Sequence, residues 1–166
     1  MRYISFLSLI ALAALVGCGG KEQCLMTGSN ESKTAIFQKG EKGTGEMFTG
    51  TTWVRMLVVD KDKTYDTQAY NVVFEPGART FWHSHPGGQI LFVTSGKGFY
   101  QERGKAARPL VKGDVVEIPP NLVHWHGASA DQEFVHLGVS ARNDKGPAKW
   151  SGAVTDKEYS EAIKGK

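Results

Sequence analysis

The sequence of 166 residues contains only two cysteines, Cys18 and Cys24. Small scaffolds held together by disulfide bonds are rich in cysteine, so that class of protein is excluded. A chain of this length can bury a sufficient hydrophobic core without such covalent links. We therefore expect one folded domain that is stabilised by its core.

The sequence also lacks a strong charge of one sign. Its 20 Lys and Arg residues are offset by 17 Asp and Glu residues, which leaves a formal net charge of +3. The basic residues are scattered among acidic ones, whereas a protein that binds nucleic acid needs a one-sided basic surface to contact the phosphates. We expect no nucleic-acid partner.

No apolar run is long enough to form a stable membrane anchor. The longest, residues 4–16, follows the basic Arg2 and covers only about 20 Å as a helix, against about 30 Å for a bilayer core. This pattern indicates a secretory signal peptide. It ends in Leu-Val-Gly-Cys, which resembles a bacterial lipobox and implies acylation of Cys18. Gly19 stands where an Asp would retain the protein in the inner membrane, so the resemblance implies attachment to the outer membrane.

These features predict a signal peptide at 1–17, a flexible tether at 18–42 and a barrel domain at 43–166. The tether is rich in Gly, Ser, Lys, Glu and Gln, and a short strand is expected around 34–38. Cys24 lies in the tether and is either a redox or intermolecular thiol or an incidental residue. The predicted location is the bacterial cell envelope, with the lipid on Cys18 as the only membrane attachment.

Beyond Gly43 the sequence alternates short runs of β-forming residues with turns that contain Gly and Pro. These runs are residues 52–59, 69–75, 80–85, 89–94, 98–103, 114–118, 124–128 and 134–140. No helical crossover lies between them, which predicts an all-β fold, an antiparallel jelly roll or barrel. The capping-box pattern from Thr155 to Glu158 predicts one short helix at the C-terminal end.

Several of the predicted strands are apolar on both faces, most clearly residues 90–93 and 114–118. Trp82 and Trp125 also lie next to histidines that must point to the opposite face. A strand with one face in water should alternate between apolar and polar residues. A second sheet, the N-terminal arm or a partner subunit must therefore cover the outer face, and we predict a homodimer.

Four of the five histidines fall into two His-x-His pairs on predicted strands, and residues two apart on a strand share a face. His83 and His85 form the first pair, and a Pro-Gly-Gly turn then brings Gln89 opposite it. His124 and His126 form the second. An isolated pair is more often two unrelated exposed or buried histidines, but two pairs in one small barrel favour a metal site.

The residues around these histidines resemble the two conserved motifs of the cupin superfamily. Residues 77–96, which contain His83, His85 and Gln89, resemble the first motif, and residues 113–124 resemble the second. Gln89 stands where cupins usually have Glu. Asn121 replaces a Gly of the second motif, a change that a turn with positive φ tolerates.

The flanking segments 48–50, 74–80, 124–128 and 150–159 resemble one subfamily. It contains small manganese cupins with hydroxynitrile lyase activity and cupins associated with carboxymuconolactone decarboxylases. The resemblance implies a cupin jelly-roll barrel that binds a small-molecule substrate. It also implies the following site residues: metal ligands His83, His85, Gln89 and His124, and catalytic pocket histidines His126 and His136.

Whether the remaining candidate site residues, His136, Tyr70 and Val72, belong to the site depends on the direction in which their side chains point. Alternation alone does not decide whether His136 faces the pocket or the surface, and the resemblance favours the pocket. Tyr70 and Val72 share a strand face and either line the same cavity as substrate-binding residues or pack in the core.

The resemblance implies a lyase in which a divalent metal acts as Lewis acid on a hydroxy or carbonyl compound. His126 would accept a proton, and a carbon–carbon bond would break or form. The resemblance favours Mn(II). Fe(II), Zn(II) and Ni(II) are alternatives, because neutral nitrogen ligands do not select Mn(II) over these metals. A dioxygenase-type oxidoreductase, a small-acid isomerase or decarboxylase, and a non-enzymatic binder of a small ligand or metal remain open.

Overall fold

The computed structural model describes residues 36–164. The predicted signal peptide, the acylated Cys18, the thiol of Cys24 and most of the predicted tether lie outside these residues. Among the described residues, no helix is both long and apolar enough to cross a membrane.

Twelve short or medium strands and one helix make up the described part of the chain. The strands are β1 (Glu41–Lys42), β2 (Phe48–Thr49), β3 (Thr52–Val58), β4 (Thr67–Phe74), β5 (Arg79–Thr80), β6 (His83–Ser84), β7 (Gln89–Glu102), β8 (Arg108–Val111), β9 (Val115–Ile118), β10 (His124–Ala128), β11 (Phe134–Ala141) and β12 (Lys149–Trp150). A 3₁₀ turn covers Asn143–Lys145, and helix α1 covers Asp156–Ile163. The strand pairs among the described residues are antiparallel, so the predicted all-β antiparallel fold is confirmed.

Strand β7 connects the two halves of the curled sheet. Its first half pairs with β11 and β9, and its second half pairs with β10 and β8. The order β1-β3-β4-β11 therefore continues through β7 into β10-β5-β2. This curled arrangement places the inward-facing residues of both halves around one interior.

The sequence predicted two strands, 89–94 and 98–103, where the structure has the single strand β7. The Ser-Gly-Lys-Gly segment between them bends the strand and does not reverse it. Opposite this segment the register slips between Val135 and His136, the signature of a β-bulge. Gly96 has φ +75°, and a side chain there would overlap the carbonyl oxygen of Glu133.

Other elements also differ from the sequence-based expectation. The predicted run 80–85 is broken into β5 and β6. Strand β8 was missed because it contains Pro109, which a strand tolerates only at an edge, and β8 pairs with β7 alone. The short strand expected around 34–38 is absent from residues 36–38. The first strand of the described residues is β1, Glu41–Lys42, which pairs with β3.

The buried residues form two clusters. The first fills the interior of the curled sheet and includes Val72, Phe74, Leu91 and Phe134. The second lies under helix α1 and is formed by Trp82, Phe99, Ala107, Trp125, Val154, Tyr159 and Ala162. The helix therefore covers the face to which the two tryptophans point.

Helix α1 begins at the predicted capping box. The Thr155 hydroxyl accepts a hydrogen bond from the Glu158 backbone N–H, and the Glu158 carboxylate accepts one from the Thr155 backbone N–H. Arg79, only 4% exposed, holds the start of this helix. Its guanidinium donates to the Val154 carbonyl at 3.0 and 3.1 Å and to the Asp156 carboxylate at 2.6 Å.

Candidate metal centre

Three histidines converge inside the curled sheet. His83 on β6 is the direct antiparallel partner of His124 on β10, and their ring centroids lie 4.3 Å apart. His85 follows β6 on the same face, with its ring centroid 5.2 Å from that of His83. One ring nitrogen of each histidine lies within 4.8 Å of the corresponding atoms of the other two. This separation is suited to three ligands of one cation.

Hydrogen bonds at Nδ1 orient each of these rings. Nδ1 of His83 donates to the carbonyl of Phe81 at 2.9 Å, and Nδ1 of His124 donates to the carbonyl of Leu122 at 2.9 Å. The two bonds fix the tautomer that carries a lone pair on Nε2. Nδ1 of His85 lies 3.1 Å from the Ser140 hydroxyl, and its buried Nε2 has no hydrogen-bond partner.

Burial keeps these imidazoles neutral. Desolvation, with help from neighbouring histidines, holds the pKa of His83 well below the usual 6.5 and lowers the pKa of His85 to about 3. Desolvation also lowers the pKa of His124 to about 4. Three uncharged, converging imidazoles are the form in which histidine binds a metal. The residues present therefore fit a divalent cation.

Gln89, at the first position of β7, lies against this group. Its Oε1 lies 3.0 Å from Nε2 of His124, and its amide donates to the Tyr70 hydroxyl at 2.6 Å. In the tautomer that donates to Leu122, His124 has a lone pair on Nε2, so this contact brings together two atoms that both carry lone pairs. A shared cation would satisfy both atoms. The geometry is thus compatible with Gln89 as a fourth ligand, as the sequence predicts.

His126 and His136 lie beside the three histidines. Their ring centroids are 4.7 Å apart, and that of His126 is 5.4 Å from that of His83. Neither ring nitrogen of either residue has a hydrogen-bond partner, although both side chains are buried. Burial lowers the pKa of His126 well below 6.5 and that of His136 to about 3. The side chain of His136 faces inwards, the direction that alternation alone left open.

A cavity of about 660 Å³ opens onto this group. Tyr70 and Val72 both line it, as does His126, whereas His136 lies against His126 and Phe74 and is not part of the wall. Much of the remaining wall is apolar: Met47, Phe48, Val54, Met56, Phe74, Pro147, Ala148 and Trp150. The charged residues that line it are Glu41 and Lys42. The cavity is therefore suited to an uncharged, largely apolar molecule.

Two residues of the site were not found by reasoning from the sequence. Trp150 on β12 stacks on His83, with centroids 4.7 Å apart and planes at 25°. Ser140 lies two alternations after His136 on β11 and contacts His85. Trp150 lies at the start of the segment 150–159 that carries the resemblance, but its place at the site depends on the pairing of β12 with β6, which the sequence does not reveal. Ser140 could have been found by alternation once the direction of His136 was known.

Comparison with known proteins gives a consistent result. Residues 70–139 match the model of the cupin domain. The chain is 41% identical over 129 residues to an (R)-mandelonitrile lyase of Granulicella tundricola, an alignment that covers 78% of this chain and 98% of the relative. The chain belongs to the cupin family.

Solved structures agree with this assignment. The cupin is 64% identical to a cupin-like protein from Thermotoga maritima, with a TM-score of 0.79 over 80% of this chain and 99% of that one. A cupin 2 conserved barrel domain protein from Rhodopseudomonas palustris has the same fold at 17% identity. Its TM-score is 0.56 over 74% of this chain and 80% of that one.

Proposed function

We propose that this cupin is a metal-dependent lyase that cleaves or forms the carbon–carbon bond of an α-hydroxynitrile. The observation that carries the proposal is the position of His126. It is a buried imidazole with two unpaired ring nitrogens, in ring contact with His83 and in the wall of the cavity. The 41% identical (R)-mandelonitrile lyase supports the choice of substrate class.

The ligands in this proposal are His83, His85, His124 and Gln89, and Mn(II) is the favoured metal, with Fe(II), Zn(II) and Ni(II) as alternatives. A divalent metal held there would supply Lewis-acid polarisation of the substrate's hydroxyl or carbonyl oxygen. Replacing the usual carboxylate with the neutral amide of Gln89 leaves the site about one charge unit more positive, which strengthens this effect.

The proton is moved by residues of the chain. In the cleavage direction, His126 accepts the proton of the substrate hydroxyl, and the oxygen forms a carbonyl with the carbon that carries it. The bond from that carbon to the nitrile carbon breaks, and its electron pair leaves with cyanide. His126 then returns the proton to cyanide, which gives hydrogen cyanide and an aldehyde or ketone.

The resemblance implies that His136 is a catalytic pocket histidine. Its ring contacts that of His126, with centroids 4.7 Å apart, and His136 itself does not line the cavity. We assign it to holding the ring of His126 in place. Tyr70 and Val72 line the cavity and are proposed to contact the substrate.

The substrate is proposed to carry an apolar, preferably aromatic group. Phe48 packs edge-on against both Trp150 and Phe74, with centroid distances of 6.1 Å, and this aromatic wall leads from Trp150 towards Phe74, which contacts His126. A substrate ring packed along these side chains would gain apolar and edge-to-face contacts.

Substrate cleavage under nitrogen tests the proposal. The protein is stripped of metal, reloaded with Mn(II), Fe(II), Zn(II) or Ni(II), and given a racemic aryl hydroxynitrile. We expect metal-dependent release of equal amounts of aldehyde and cyanide without oxygen. Turnover that requires oxygen would instead identify an oxidoreductase, and binding of the compound without turnover would identify a ligand-binding protein.

The cellular location is proposed on the sequence alone. A signal peptide at 1–17 and acylation of Cys18 would place the protein in the bacterial envelope, attached to the outer membrane by lipid. Replacing Cys18 with Ala should release the protein from the membrane fraction. Full retention of the variant in that fraction would contradict the proposal.

A further inference from the structure

The Tyr70 hydroxyl joins two of the proposed ligands through an unbroken line of side-chain hydrogen bonds. The amide of Gln89 donates to it at 2.6 Å, it lies 2.9 Å from the Ser140 hydroxyl, and that hydroxyl lies 3.1 Å from Nδ1 of His85. Gln89 and Ser140 are 3% and 7% exposed, so water competes weakly for these bonds.

The donors and acceptors fix how this line acts on Gln89. An amide nitrogen has no lone pair to accept with, so the Tyr70 oxygen must accept from it. The hydrogen of the Tyr70 hydroxyl is then available to Ser140. With its NH₂ group held on Tyr70, the amide of Gln89 keeps Oε1 towards Nε2 of His124, the orientation a ligand needs.

Ser140 acts in a similar way on His85. His83 and His124 donate from Nδ1 to backbone carbonyls, which cannot change role. His85 instead meets a hydroxyl, which can either donate or accept. If Nδ1 of His85 donates to Ser140, its unpartnered Nε2 carries the lone pair required of a ligand. The Ser140 oxygen has two lone pairs, so it can accept from both the Tyr70 hydroxyl and Nδ1 of His85, and this arrangement supports the tautomer that a ligand requires.

We propose that Tyr70 and Ser140 are paired positioning residues, Tyr70 holding the amide orientation of Gln89 and Ser140 accepting from Nδ1 of His85, and that together they determine the metal affinity of the site. This inference rests on the metal site of the proposed function and is independent of the reaction. Gln89 and His85 depend on this pair, whereas His83 and His124 are oriented by the backbone.

The test compares Tyr70→Phe, Ser140→Ala and the double variant with the wild-type protein, each stripped of metal. Mn(II) binding is measured from the electron paramagnetic resonance signal of the free ion. We expect each single variant to raise the Kd about 10- to 100-fold, the usual effect of losing a partner of a ligand. The double variant should raise the Kd by less than the product of the two single-variant factors, because both single variants lose the same Tyr70–Ser140 hydrogen bond.

Two further measurements separate positioning from a general loss of structure. The absorption bands of the Co(II)-loaded protein report ligand geometry and should shift in the two single variants. Ser140→Thr keeps the hydroxyl and should restore both the Kd and the bands. Tyr100→Phe is the matched control, because it removes the hydroxyl of another buried tyrosine that has no hydrogen bond to a ligand, and it should leave both unchanged.

The possible results are distinct. Mn(II) affinities within about twofold of wild type, with unchanged Co(II) bands, would overturn this inference and leave the proposed function intact. A wild-type protein that binds neither Mn(II) nor Co(II) would overturn the proposed metal site as well. If Ser140→Ala does not fold, as judged by its circular dichroism, Tyr70→Phe alone decides through its Kd and its Co(II) bands.

Discussion

His83 and His124 lie opposite each other on neighbouring antiparallel strands, with their ring centroids 4.3 Å apart. Each ring is held by a hydrogen bond to the carbonyl two residues before it, Phe81 for one and Leu122 for the other. The same local geometry on two paired strands thus directs two imidazoles, both proposed metal ligands, to one position. We expect a substitution of either histidine to weaken metal binding before it affects other properties of the protein.

The first prediction concerns metal removal. His124→Ala should bind Mn(II) more weakly by over 100-fold, since losing a ligand costs more than losing its hydrogen-bond partner. Saturating Mn(II) should raise the melting temperature of the wild-type protein, because at 100 times the Kd it adds about 2.7 kcal/mol to the free energy of unfolding. It should not raise that of the variant. Equal metal-induced shifts in calorimetry would show that His124 is not a ligand.

The second prediction separates the base from the ligands. His126→Ala should retain one metal ion per chain and lose about 100- to 10,000-fold in kcat, because general base catalysis typically contributes this much. Metal content is measured on the same sample by elemental analysis, which serves as the control. A variant that turns over at the wild-type rate would remove His126 from the mechanism.

The third prediction is a pH dependence of stability in the presence of a chelator. The pKa of His136 is about 3 in the folded protein and about 6.5 in the unfolded chain, so the unfolded chain binds more protons below pH 6.5. The stabilisation that comes from keeping His136 neutral is fully present above pH 6.5, and the free energy of unfolding falls as the pH decreases from 6.5 towards 3. The slope from this residue is at most about 1.4 kcal/mol per pH unit.

Replacement of His136 by Phe tests this dependence. The new ring would pack between Phe74 and Phe134, which already contact His136. Urea unfolding from pH 7 to pH 4 should show a shallower decline for the variant than for the wild type. Parallel curves would mean that His136 does not contribute to acid sensitivity.

The fourth prediction concerns the attachment of helix α1. Arg79→Met should lower the free energy of unfolding by about 2 to 3 kcal/mol, because the buried carbonyl of Val154 loses its donor. Asp156→Asn is the matched control. The Asp156 side chain is 96% exposed, so this change should cost less than about 1 kcal/mol. Equal effects of the two changes in urea unfolding would contradict the assignment of the carbonyl bond as the main contribution.

The fifth prediction addresses the proposed homodimer. Phe92 and Val115 are cross-strand partners on β7 and β9 and are 39% and 47% exposed, an apolar pair on the outer face of the sheet. If this face is the dimer interface, Phe92→Lys should convert a dimer into a monomer in light scattering of the chain without residues 1–17. Lys97→Glu, on the other half of β7, should leave the mass unchanged. A wild-type protein that is monomeric would refute the dimer.

The sequence predicted the parts of the site that depend on local spacing. The two His-x-His pairs, the turn before Gln89 and the capping box at Thr155 are short-range patterns, and the structure brings the histidines and Gln89 together. The parts that were missed depend on long-range pairing. Trp150 reaches His83 because β12 pairs with β6, and β8 was hidden by Pro109 in its interior.

Short-range patterns also predicted the fold in outline. Alternation and turns identified most strands and their antiparallel arrangement, but they treated the Gly96 segment as a reversal. A bulge and a hairpin turn use similar residues, and only the partner strand distinguishes them. The outer cover of Trp82 and Trp125 was expected from a second sheet, an arm or a partner, and it is helix α1.

The bend of β7 has a consequence for how the protein could evolve or be engineered. Gln89 is its first residue, and Glu102, its last, is the pairing partner of His124, so both ends of this fourteen-residue strand lie beside His124. The strand bends at Gly96. A side chain there would overlap the Glu133 carbonyl, so we expect a substitution of Gly96 to shift the two ends of β7 and weaken metal binding, although Gly96 is not part of the proposed metal site.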